Sequence, residues 1–239
     1  MKPRFISDIH LSEDTPHLTN AFKTFLNESK QKCTHLFILG DLFEIWIGDD
    51  DENAFIEEIK KTLIDFTANG PETFFMHGNR DFLLGENFAN QVGISLLPDP
   101  YTLDINGLRV ILSHGDFLCT DDIDYINFRN QVRSEDWQND FLSKSIEERK
   151  QIAQSLRFDS KKATSNKSLE ITDVNLETAN KFIKEHNPDI FIHGHTHRPR
   201  IHQHHSTQRI VLGDWNKKGW FLSMDNYSPY LNEFNISND

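Results

Sequence analysis

Cysteine is nearly absent from this sequence. Only two of its 239 residues are cysteine, Cys33 and Cys119, and neither stands in a Cys-x-x-Cys or Cys-x-x-His pattern. This scarcity excludes a disulfide framework and a thiolate zinc site as the basis of the fold. It is typical of proteins from a reducing compartment.

Long apolar runs are absent as well. No stretch reaches the roughly 18–20 apolar residues of a membrane-spanning helix. The chain passes from Met1 into Phe5-Ile6-Ser7-Asp8 without the apolar region of a signal peptide. We therefore predict a cytoplasmic protein, and attachment to a membrane surface stays open.

The chain has little positive charge relative to its acidic content. Its 25 Lys and Arg residues stand against 37 Asp and Glu residues, which gives a formal net charge of −12. Because Lys and Arg contacts to phosphates supply most nonspecific affinity for nucleic acid, we predict no nucleic-acid partner, although a locally basic pocket is compatible with this charge. A hydrophobic fraction of 37% supplies enough apolar surface to exclude a disordered chain.

Short apolar runs that end in polar residues recur along the chain and predict buried strands. They lie at residues 5–6, 36–39, 74–76, 110–112 and 190–192. Apolar residues at helical spacing lie between them, at Phe22, Phe25 and Leu26 and again at Phe55, Ile56, Ile59, Leu63 and Ile64. This alternation predicts an α/β architecture.

A turn signal separates two further strand-like segments. Asn106-Gly107 lies between residues 101–105 and 108–112, and this dipeptide favours the type I′ turn of a two-residue hairpin. Segments around Ile201, Ile210 and Trp220 also have strand character. The sheets are therefore predicted to contain antiparallel as well as parallel strands.

Residues 120–169 differ from the rest because they contain no strand-like run. Ser145 and Glu148 have the spacing of a capping box, so we predict a helical cap over 120–169, inserted into a core of residues 1–119 and 170–239. Residues 145–168 carry a local charge of +3, which inverts the sign of the whole chain. The contributing residues are Arg149, Lys150, Arg157, Lys161, Lys162 and Lys167 against Glu147, Glu148 and Asp159.

Each strand-like run is followed at once by side chains that can bind metal ions. Ligand sites in α/β sheets lie just beyond the carboxyl ends of the strands, so we expect these segments to meet at one site. They are Asp8-Ile9-His10, Gly40-Asp41, Gly78-Asn79-Arg80-Asp81, His114-Gly115-Asp116 and Gly194-His195-Thr196-His197.

Two of these segments carry metal-capable side chains two residues apart. In an extended segment Asp8 and His10 point to the same side, and so do His195 and His197, because side chains alternate along a strand. Glycines suit tight turns whose backbone approaches ions or phosphate oxygens, and four of them stand in these segments: Gly40, Gly78, Gly115 and Gly194.

The donor types indicate the metal chemistry. Imidazole, carboxylate and amide oxygen without thiolate suit Mn²⁺, Fe²⁺ or Zn²⁺. Two such ions about 3.5–4 Å apart would clamp the attacking and leaving oxygens of an in-line displacement. A carboxylate has to bridge them, and Asp41 is the candidate because its segment holds a single carboxylate directly at the strand end.

Other acidic and histidine clusters are weaker signals. The chain contains 12 histidines, and we interpret His202, His204 and His205 as ordinary surface residues. Residues 49–51, three consecutive aspartates, are interpreted as a solvated loop or helix N-terminus. Five ordered motifs at strand ends are not explained in this way.

Together the five segments resemble the motifs of the calcineurin-like metallophosphoesterase superfamily over most of the chain. The resemblance implies an α/β (α+β) class and a four-layer αββα fold, in which a two-sheet β-sandwich is flanked by helices. It also implies two metal ions that share one ligand. One would be held by Asp8, His10, Asp41 and His197, and the other by Asp41, Asn79, His114 and His195.

The third segment departs from that superfamily, which usually has Asn-His-Asp or Asn-His-Glu where this chain has Asn79-Arg80-Asp81. Arginine stays charged and offers a planar fork suited to phosphate. Arg80 is therefore expected to bind the phosphoryl group, or to stabilise charge on it, rather than to donate a proton.

The arginine at this position and four longer segments look closely like the sequences of the UDP-2,3-diacylglucosamine pyrophosphatase family of the lipid A pathway. The four segments are residues 40–50, 78–85, 119–122 and 194–199. That resemblance implies two Mn²⁺ per chain and a peripheral position on the cytoplasmic face of the inner membrane, and we predict a monomer. Catalytic roles fall on Asp41, Asn79, Arg80 and His195. Substrate contacts fall on Asn79, Arg80, Asp122, Ser160, Thr164, Lys167 and His195, where the position of Thr164 is often Asn in the family.

The same resemblance makes the cap a cover over acyl chains, and the basic residues around Lys167 would neutralise the substrate's phosphates. Packing on the core is the alternative for each apolar residue of the cap. The candidates for a lipid groove are Tyr125, Ile126, Phe128, Phe141, Ile152 and Leu156.

The expected reaction is hydrolysis of the pyrophosphate bond of UDP-2,3-diacylglucosamine by water attack at the α-phosphorus. The products would be UMP and 2,3-diacylglucosamine 1-phosphate, lipid X. A related dinuclear metallophosphoesterase acting on another nucleotide or phosphodiester is the alternative that the metal motifs alone leave open. A non-enzymatic scaffold is disfavoured because all seven candidate ligands are present.

Overall fold

The computed structural model describes residues 1–165, 167, 171–225 and 228–237. One sheet contains six strands: β1 Pro3–Ile6, β2 His35–Leu39, β3 Glu72–Met76, β4 Ile94–Leu97, β10 Lys218–Asp225 and β11 Ser228–Asn235. Their order is β11-β10-β1-β2-β3-β4. β1 to β4 are parallel to one another, whereas β10 pairs antiparallel with β1 and β11.

The second sheet contains β5 Tyr101–Ile105, β6 Leu108–Ser113, β7 Ile190–His193, β8 Arg200–His204 and β9 Thr207–Val211, in the order β5-β6-β7-β9-β8. The predicted hairpin is confirmed. Ile105 pairs with Leu108 across a two-residue loop, and Asn106 and Gly107 have φ values of 54° and 86°, as a type I′ turn requires.

Helices cover the outer faces of the two sheets. α1 Pro16–Ser29, α2 Ala54–Thr67 and α3 Glu86–Val92 share an apolar cluster with the six-stranded sheet, whereas α7 Leu176–His186 packs through Ala179, Phe182 and Ile183 on Ile111 and Phe191 of the other. A third cluster, which includes Phe5, Phe37, Met76 and Ile192, fills the space between the sheets. The predicted four-layer αββα order is confirmed.

Three helices follow β6: α4 Ile123–Val132, α5 Glu135–Leu142 and α6 Ile146–Ser165. The predicted capping box begins α6, because Ser145 N donates to Glu148 Oε2 over 3.0 Å and Glu148 N donates to Ser145 Oγ over 3.3 Å. We keep the name cap for these three helices, and its boundaries at 120 and 169 stay a prediction. No helix among the described residues is both long enough and apolar enough to cross a membrane.

The basic side chains of α6 are matched to acidic residues of the loop after β2. Arg149 is 2% exposed and donates to both carboxylate oxygens of Asp50, and Lys150 lies 3.1 Å from Asp51. Residues 49–51 lie in the loop before α2, as interpreted, and the side chain of Asp50 is 63% exposed; Asp50 and Asp51 pair with the cap in addition. Their charges hold the cap against the core, and less of the local +3 charge is left for a ligand than the sequence suggests.

Candidate metal centre and active site

The loops that follow five strands meet at one edge of the sandwich. Asp8 N donates to the carbonyl of Gly40 over 3.1 Å, and Gly194 N donates to the carbonyl of His114 over 3.0 Å. Two contacts join the sheets: His114 Nδ1 lies 2.8 Å from the Leu39 carbonyl, and His195 N donates to Asp8 Oδ2 over 3.0 Å. All seven residues predicted as metal ligands come together here.

Five of those residues have left-handed backbone. The φ values are 55° for Asp8, 57° for His10, 55° for Asp41, 66° for His195 and 56° for His197. The expectation that Asp8 with His10 and His195 with His197 lie in extended segments is therefore wrong. The pairs still converge, because each loop turns sharply past its strand. Such conformations cost about 1–2 kcal/mol per residue and persist where surrounding contacts over-determine them.

One group of donors consists of Asp8, His10 and His197. Nε2 of His10 lies 3.4 Å from Nε2 of His197, which in turn lies 3.4 Å from Asp8 Oδ1. Two imidazole nitrogens bound to one ion at about 2.1 Å each would lie about 3.0–3.4 Å apart, depending on the angle. The spacing of this group therefore suits a shared cation.

A second group surrounds Asn79. Its Oδ1 lies 2.9 Å from His114 Nε2 and 2.8 Å from His195 Nδ1. Asp41 connects the two groups, because its Oδ1 lies 3.8 Å from His114 Nε2 and its Oδ2 lies 4.0 Å from His10 Nδ1. This central position is the one a bridging carboxylate requires.

Crowded charges shift the pKa values of the buried donors. Burial raises the pKa of Asp41 to about 7, with the charges of Asp81 and Asp8 acting in the same direction against His114 and Arg80. Burial works against protonation of His114, but the carboxylates of Asp41, Asp8 and Asp116 raise its pKa to about 9. The buried carboxylates around His114 thus carry more negative charge than this one imidazole can neutralise, which indicates a site that favours a bound cation.

The donor set fits divalent cations. Oδ1 of Asp8 is buried and forms no hydrogen bond among the described residues. Ligand atoms of Asp8, Asp41 and His114 lie within 4.8 Å of one another, as do those of Asp8, His10 and His197. A buried polar atom without a hydrogen bond is costly, so coordination by a cation would satisfy this carboxylate oxygen.

Further polar groups orient the candidate ligands. Oδ2 of Asp214 lies 3.7 Å from His197 Nδ1 and directs the other ring nitrogen towards Asp8. Both oxygens of Asp81 accept backbone N–H groups, from Asp41, Leu42, Phe43 and Gly78. The sequence motifs contain Asp81 but give no sign of this role, and Asp214 lies outside them. Such supporting partners fix ligand geometry at metal sites.

Arg80 belongs to a network that sequence reasoning missed. Its Nη1 lies 3.1 Å from Glu44 Oε1, and Arg157 of α6 donates to the same oxygen. Glu44 Oε2 also lies 3.4 Å from His10 Nδ1. Two guanidinium groups thus share a single carboxylate at the edge of the donor cluster, and the remaining positive charge suits an anion such as phosphate.

A cavity opens beside this network, between the cap and the core. The open space between the lining residues amounts to about 740 Å³ and is continuous with solvent. Asn79 and Arg80 line it, and so do four of the six groove candidates. Those four are Tyr125, Phe128, Phe141 and Leu156; Ile126 and Ile152 are not part of the lining, and Ile152 packs against the core cluster instead.

The other predicted substrate contacts are distributed unevenly. Ser160 lines the cavity. Asp122 caps α4 by accepting the N–H of Tyr125 over 3.1 Å, and its Oδ1 also lies 2.6 Å from Lys167 Nζ. The charge of Lys167 is therefore paired within the cap. The side chain of Thr164 lies outside the described residues.

Asp116 connects the fourth motif to the cap. It is fully buried, and its Oδ2 accepts from the Tyr125 hydroxyl over 2.9 Å and from Arg129 Nε over 2.7 Å. Arg133 reaches the Gly78 carbonyl over 2.8 Å. The Tyr125 ring stacks on the His195 ring at a centroid distance of 5.5 Å. The cap helix α4 is thus attached directly to the donor cluster.

We predict that Asp116→Ala destabilises the fold by about 2–4 kcal/mol, because it leaves Arg129 without its buried partner. It should also lower kcat/KM, since Tyr125 loses the contact that seats it on His195. Urea unfolding and steady-state kinetics measure the two effects. Asp116→Asn keeps one acceptor oxygen and should lose less stability, and equal losses for the two variants would contradict the anchoring role.

A β-sandwich of this layer order, with these donors at its strand ends, defines a metallophosphoesterase. Residues 1–199 match the calcineurin-like phosphoesterase family. An archaeal phosphodiesterase of known structure aligns over 98% of this chain and 100% of its own, with a TM-score of 0.51 at 13% sequence identity. This likeness shows the shared fold.

Curated relatives identify the group within the calcineurin-like phosphoesterase family to which this chain belongs. The UDP-2,3-diacylglucosamine hydrolase of Aromatoleum aromaticum is 43% identical over 233 residues, 96% of this chain and 95% of the relative. The one from Escherichia coli is 44% identical over 92% of this chain and 93% of its own. The one from Vibrio atlanticus is 41% identical over 100% of this chain and 99% of its own. The chain therefore belongs to the UDP-2,3-diacylglucosamine hydrolase family of calcineurin-like phosphoesterases, which confirms the resemblance drawn from the motifs.

Proposed function

We propose that this protein hydrolyses the pyrophosphate bond of UDP-2,3-diacylglucosamine by water attack at the α-phosphorus. The products are UMP and 2,3-diacylglucosamine 1-phosphate. One observation supports the proposal independently of the family's name: Asn79, a member of the donor cluster, and Arg80, which lies 3.7 Å from Asp41, both line the cavity under the cap. A ligand in that cavity reaches the cations' site with its polar end.

In this proposal the centre holds two Mn²⁺. Asp8, His10, Asp41 and His197 would hold one, and Asp41, Asn79, His114 and His195 would hold the other. Bound there, the ions supply Lewis-acid stabilisation and a nucleophilic water at neutral pH. Burial and the His114 charge lower the pKa of His195 to about 3, so its ring is neutral and its nitrogen can act as a ligand.

The chain's own cations bind and orient the pyrophosphate. Glu44 holds the Arg80 and Arg157 guanidinium groups at the rim of the donor cluster. Their N–H groups are therefore preorganised and need not change rotamer when charge develops on the phosphoryl oxygens. Arg80 lies 3.7 Å from Asp41 Oδ2 through its Nε. This arrangement supports its predicted role at the reacting phosphorus.

The apolar part of the cavity accommodates the acyl chains. Phe128, Phe141 and Leu156 come from three different cap helices, and Trp46 and Phe82 come from the core. Burying an acyl chain gains about 0.8 kcal/mol per methylene, so acylation contributes most of the expected binding. The headgroup remains at the charged end, beside Asn79 and Arg80.

The test is to strip metals with a chelator, restore Mn²⁺, and follow UMP release from UDP-2,3-diacylglucosamine in detergent. Activity should disappear on stripping and return with Mn²⁺. UDP-N-acetylglucosamine, which lacks the acyl chains, should be turned over at least about 10²-fold less efficiently in kcat/KM, because it loses the apolar contacts. In ¹⁸O-labelled water, the label should appear in UMP rather than in the lipid phosphate.

Activity on a simple phosphodiester such as bis-p-nitrophenyl phosphate, with none on the acylated substrate, would refute the substrate assignment while leaving the metal centre intact. Label in the lipid phosphate would refute attack at the α-phosphorus. Restoration by Zn²⁺ or Fe²⁺ with none by Mn²⁺ would refute the choice of metal.

A peripheral position on the cytoplasmic face of the inner membrane is part of the proposal. The most exposed large apolar side chains of the cap are Ile123, 69% exposed and next to the predicted substrate contact Asp122, and Phe158, 70% exposed and next to the cavity residue Arg157. Exposed apolar groups of this kind suit insertion at the level of lipid headgroups. The monomeric state stays a prediction.

We predict that Ile123→Ser with Phe158→Ser lowers the fraction of protein that sediments with phospholipid vesicles by at least about threefold, because both apolar contacts with the bilayer are lost. Turnover of substrate dissolved in detergent micelles should stay within about twofold. Ile201→Ser, on strand β8 rather than on the cap, is the matched exposed control. Equal sedimentation of the double variant and the wild type would rule out this membrane contact.

A further inference from the structure

Arg209 is a buried cation outside the residues that carry the proposed function. It lies on β9, opposite Phe191 of β7, and is only 3% exposed. Asp173, whose charge acts on Arg209, forms its ion pair with Arg198 instead. A buried guanidinium is costly unless its donors are satisfied, so the groups that accept from Arg209 identify its role.

Two imidazoles accept from Arg209. Nη1 lies 3.0 Å from His193 Nε2, and Nε lies 3.1 Å from His204 Nε2. A guanidinium has only donors, so both Nε2 atoms have to be acceptors. A neutral imidazole that accepts at Nε2 carries its proton on Nδ1. Arg209 therefore selects the tautomer of both rings.

His193 passes this orientation on to the fifth motif. Its Nδ1 lies 3.0 Å from the Gly194 carbonyl, and in the tautomer set by Arg209 the Nδ1–H donates to that oxygen. The same carbonyl accepts from Thr196 N over 2.8 Å. Since the Gly194 carbonyl belongs to the peptide that leads into His195, this pair of bonds fixes the turn on which His195 and His197 stand.

The His193 ring also separates two ligand-bearing loops. The side chain is fully buried, and a Cβ at Gly115 would lie 2.7 Å from its Nδ1. Gly115 has a φ of 102° and directly follows His114. The ring thus packs under the loop after β6 and bonds to the loop after β7, so it determines their separation.

We propose that Arg209 and His193 are positioning residues for the metal centre, in which Arg209 holds His193 in the tautomer that fixes the Gly194 peptide and thereby places His195 and His197. This inference rests on the proposed function, because it assigns a role relative to the metal ligands proposed there. Neither residue lines the cavity under the cap or belongs to the proposed ligand set.

The decisive comparison is His193→Asn against His193→Leu. The two replacement side chains have nearly the same shape, but asparagine can place an amide N–H where Nδ1 stood and leucine cannot. We expect His193→Leu to weaken Mn²⁺ binding, measured by isothermal titration calorimetry, by about 10–100-fold, the range seen when a supporting partner of a metal ligand is lost. His193→Asn should remain within about threefold of the wild type.

Arg209→Met tests the first contact in this series of interactions, the one furthest from the metal ligands. It keeps an unbranched apolar stem but no donor, so His193 is no longer confined to one tautomer, and Mn²⁺ affinity should fall by about tenfold. In the His193→Asn background the same change should cost less than about threefold, because asparagine has no tautomer to set. His204→Leu is the control: it removes the other imidazole that Arg209 contacts, and Mn²⁺ affinity should stay within about twofold.

Thermal unfolding of each metal-free variant separates stability from positioning. Equal Mn²⁺ affinities for His193→Asn and His193→Leu would overturn the proposal, as would additive effects of Arg209→Met and His193→Asn. A wild-type protein that binds no Mn²⁺ would overturn the proposed function together with this inference. Wild-type binding that His193→Leu leaves unchanged would overturn the inference alone.

Discussion

Replacing Asp41 by asparagine is expected to lower kcat for UMP release by about 10³-fold or more, beyond the 10²–10³ typical of losing one transition-state donor. Asp41 is 1% exposed and lies between the two donor groups, with one oxygen facing His114 and the other facing His10. Asparagine preserves the shape and an acceptor for Arg80 N. It removes the charge and one of the two bridging oxygens.

The measurement is steady-state UMP release at saturating Mn²⁺, with bound manganese counted by elemental analysis after gel filtration. Manganese content should fall together with kcat, because the shared ligand serves both ions. Asp65→Asn, an exposed carboxylate on α2, is the matched control and should behave as the wild type. Full manganese content in the Asp41 variant would exclude Asp41 as the bridge.

Arg80→Ala is expected to lower kcat by about 10²–10³-fold while Mn²⁺ affinity stays within about threefold. The guanidinium lies 3.1 Å from Glu44 and 3.7 Å from Asp41, beside the donor cluster rather than among its ligand atoms. Its loss removes stabilisation of charge on the phosphoryl oxygens. Calorimetry for Mn²⁺ and steady-state kinetics with the acylated substrate measure the two quantities separately.

Arg80→Lys keeps the charge but not the planar fork, so its kcat should lie between those of the wild type and the alanine variant. Arg200→Ala, an exposed arginine on β8, is the control for loss of a surface charge and should leave kcat unchanged. A rise in KM at unchanged kcat for Arg80→Ala would assign Arg80 to ground-state binding alone.

Local chemistry made much of the fold predictable. The apolar runs at residues 36–39 and 110–112 lie within β2 and β6, and Asn106-Gly107 forms the two-residue turn it favours. Ser145 and Glu148 begin α6 for the same reason. In each case the deciding interactions lie within a few residues, so a single sequence contains them.

Other elements were not predicted, namely α3, β4, α7 and β11. α7 does have a local signal, because Ala179, Phe182 and Ile183 are spaced as on one helix face, whereas β4 is only four residues long and the burial of β11 depends on neighbours distant in sequence. β11, for example, is an edge strand in which exposed and half-buried residues alternate over most of its length. Its pairing with β10 stabilises it, and that pairing is tertiary.

The candidate site divides in the same way. The five motifs, with their metal-capable side chains at strand ends, could be read because the residue types are few and chemically distinctive. How the backbone brings these side chains together could not be predicted from the sequence. Alternation predicted extended segments for Asp8 and His10, whereas both residues have left-handed backbone that long-range contacts impose.

The sequence by itself determined the chemistry of this protein: which donors are available, their order along the chain, and the presence of Arg80 in the third motif. Only the tertiary structure decided what surrounds them. Glu44 holds Arg80 and Arg157, Asp116 attaches the cap, and Arg209 orients His193. The physical reason is that a side chain's charge and donors are local properties, whereas its partner depends on packing between elements distant in the chain. Arg157 and Glu44 are 113 residues apart, and His195 and Asp8 are 187 apart.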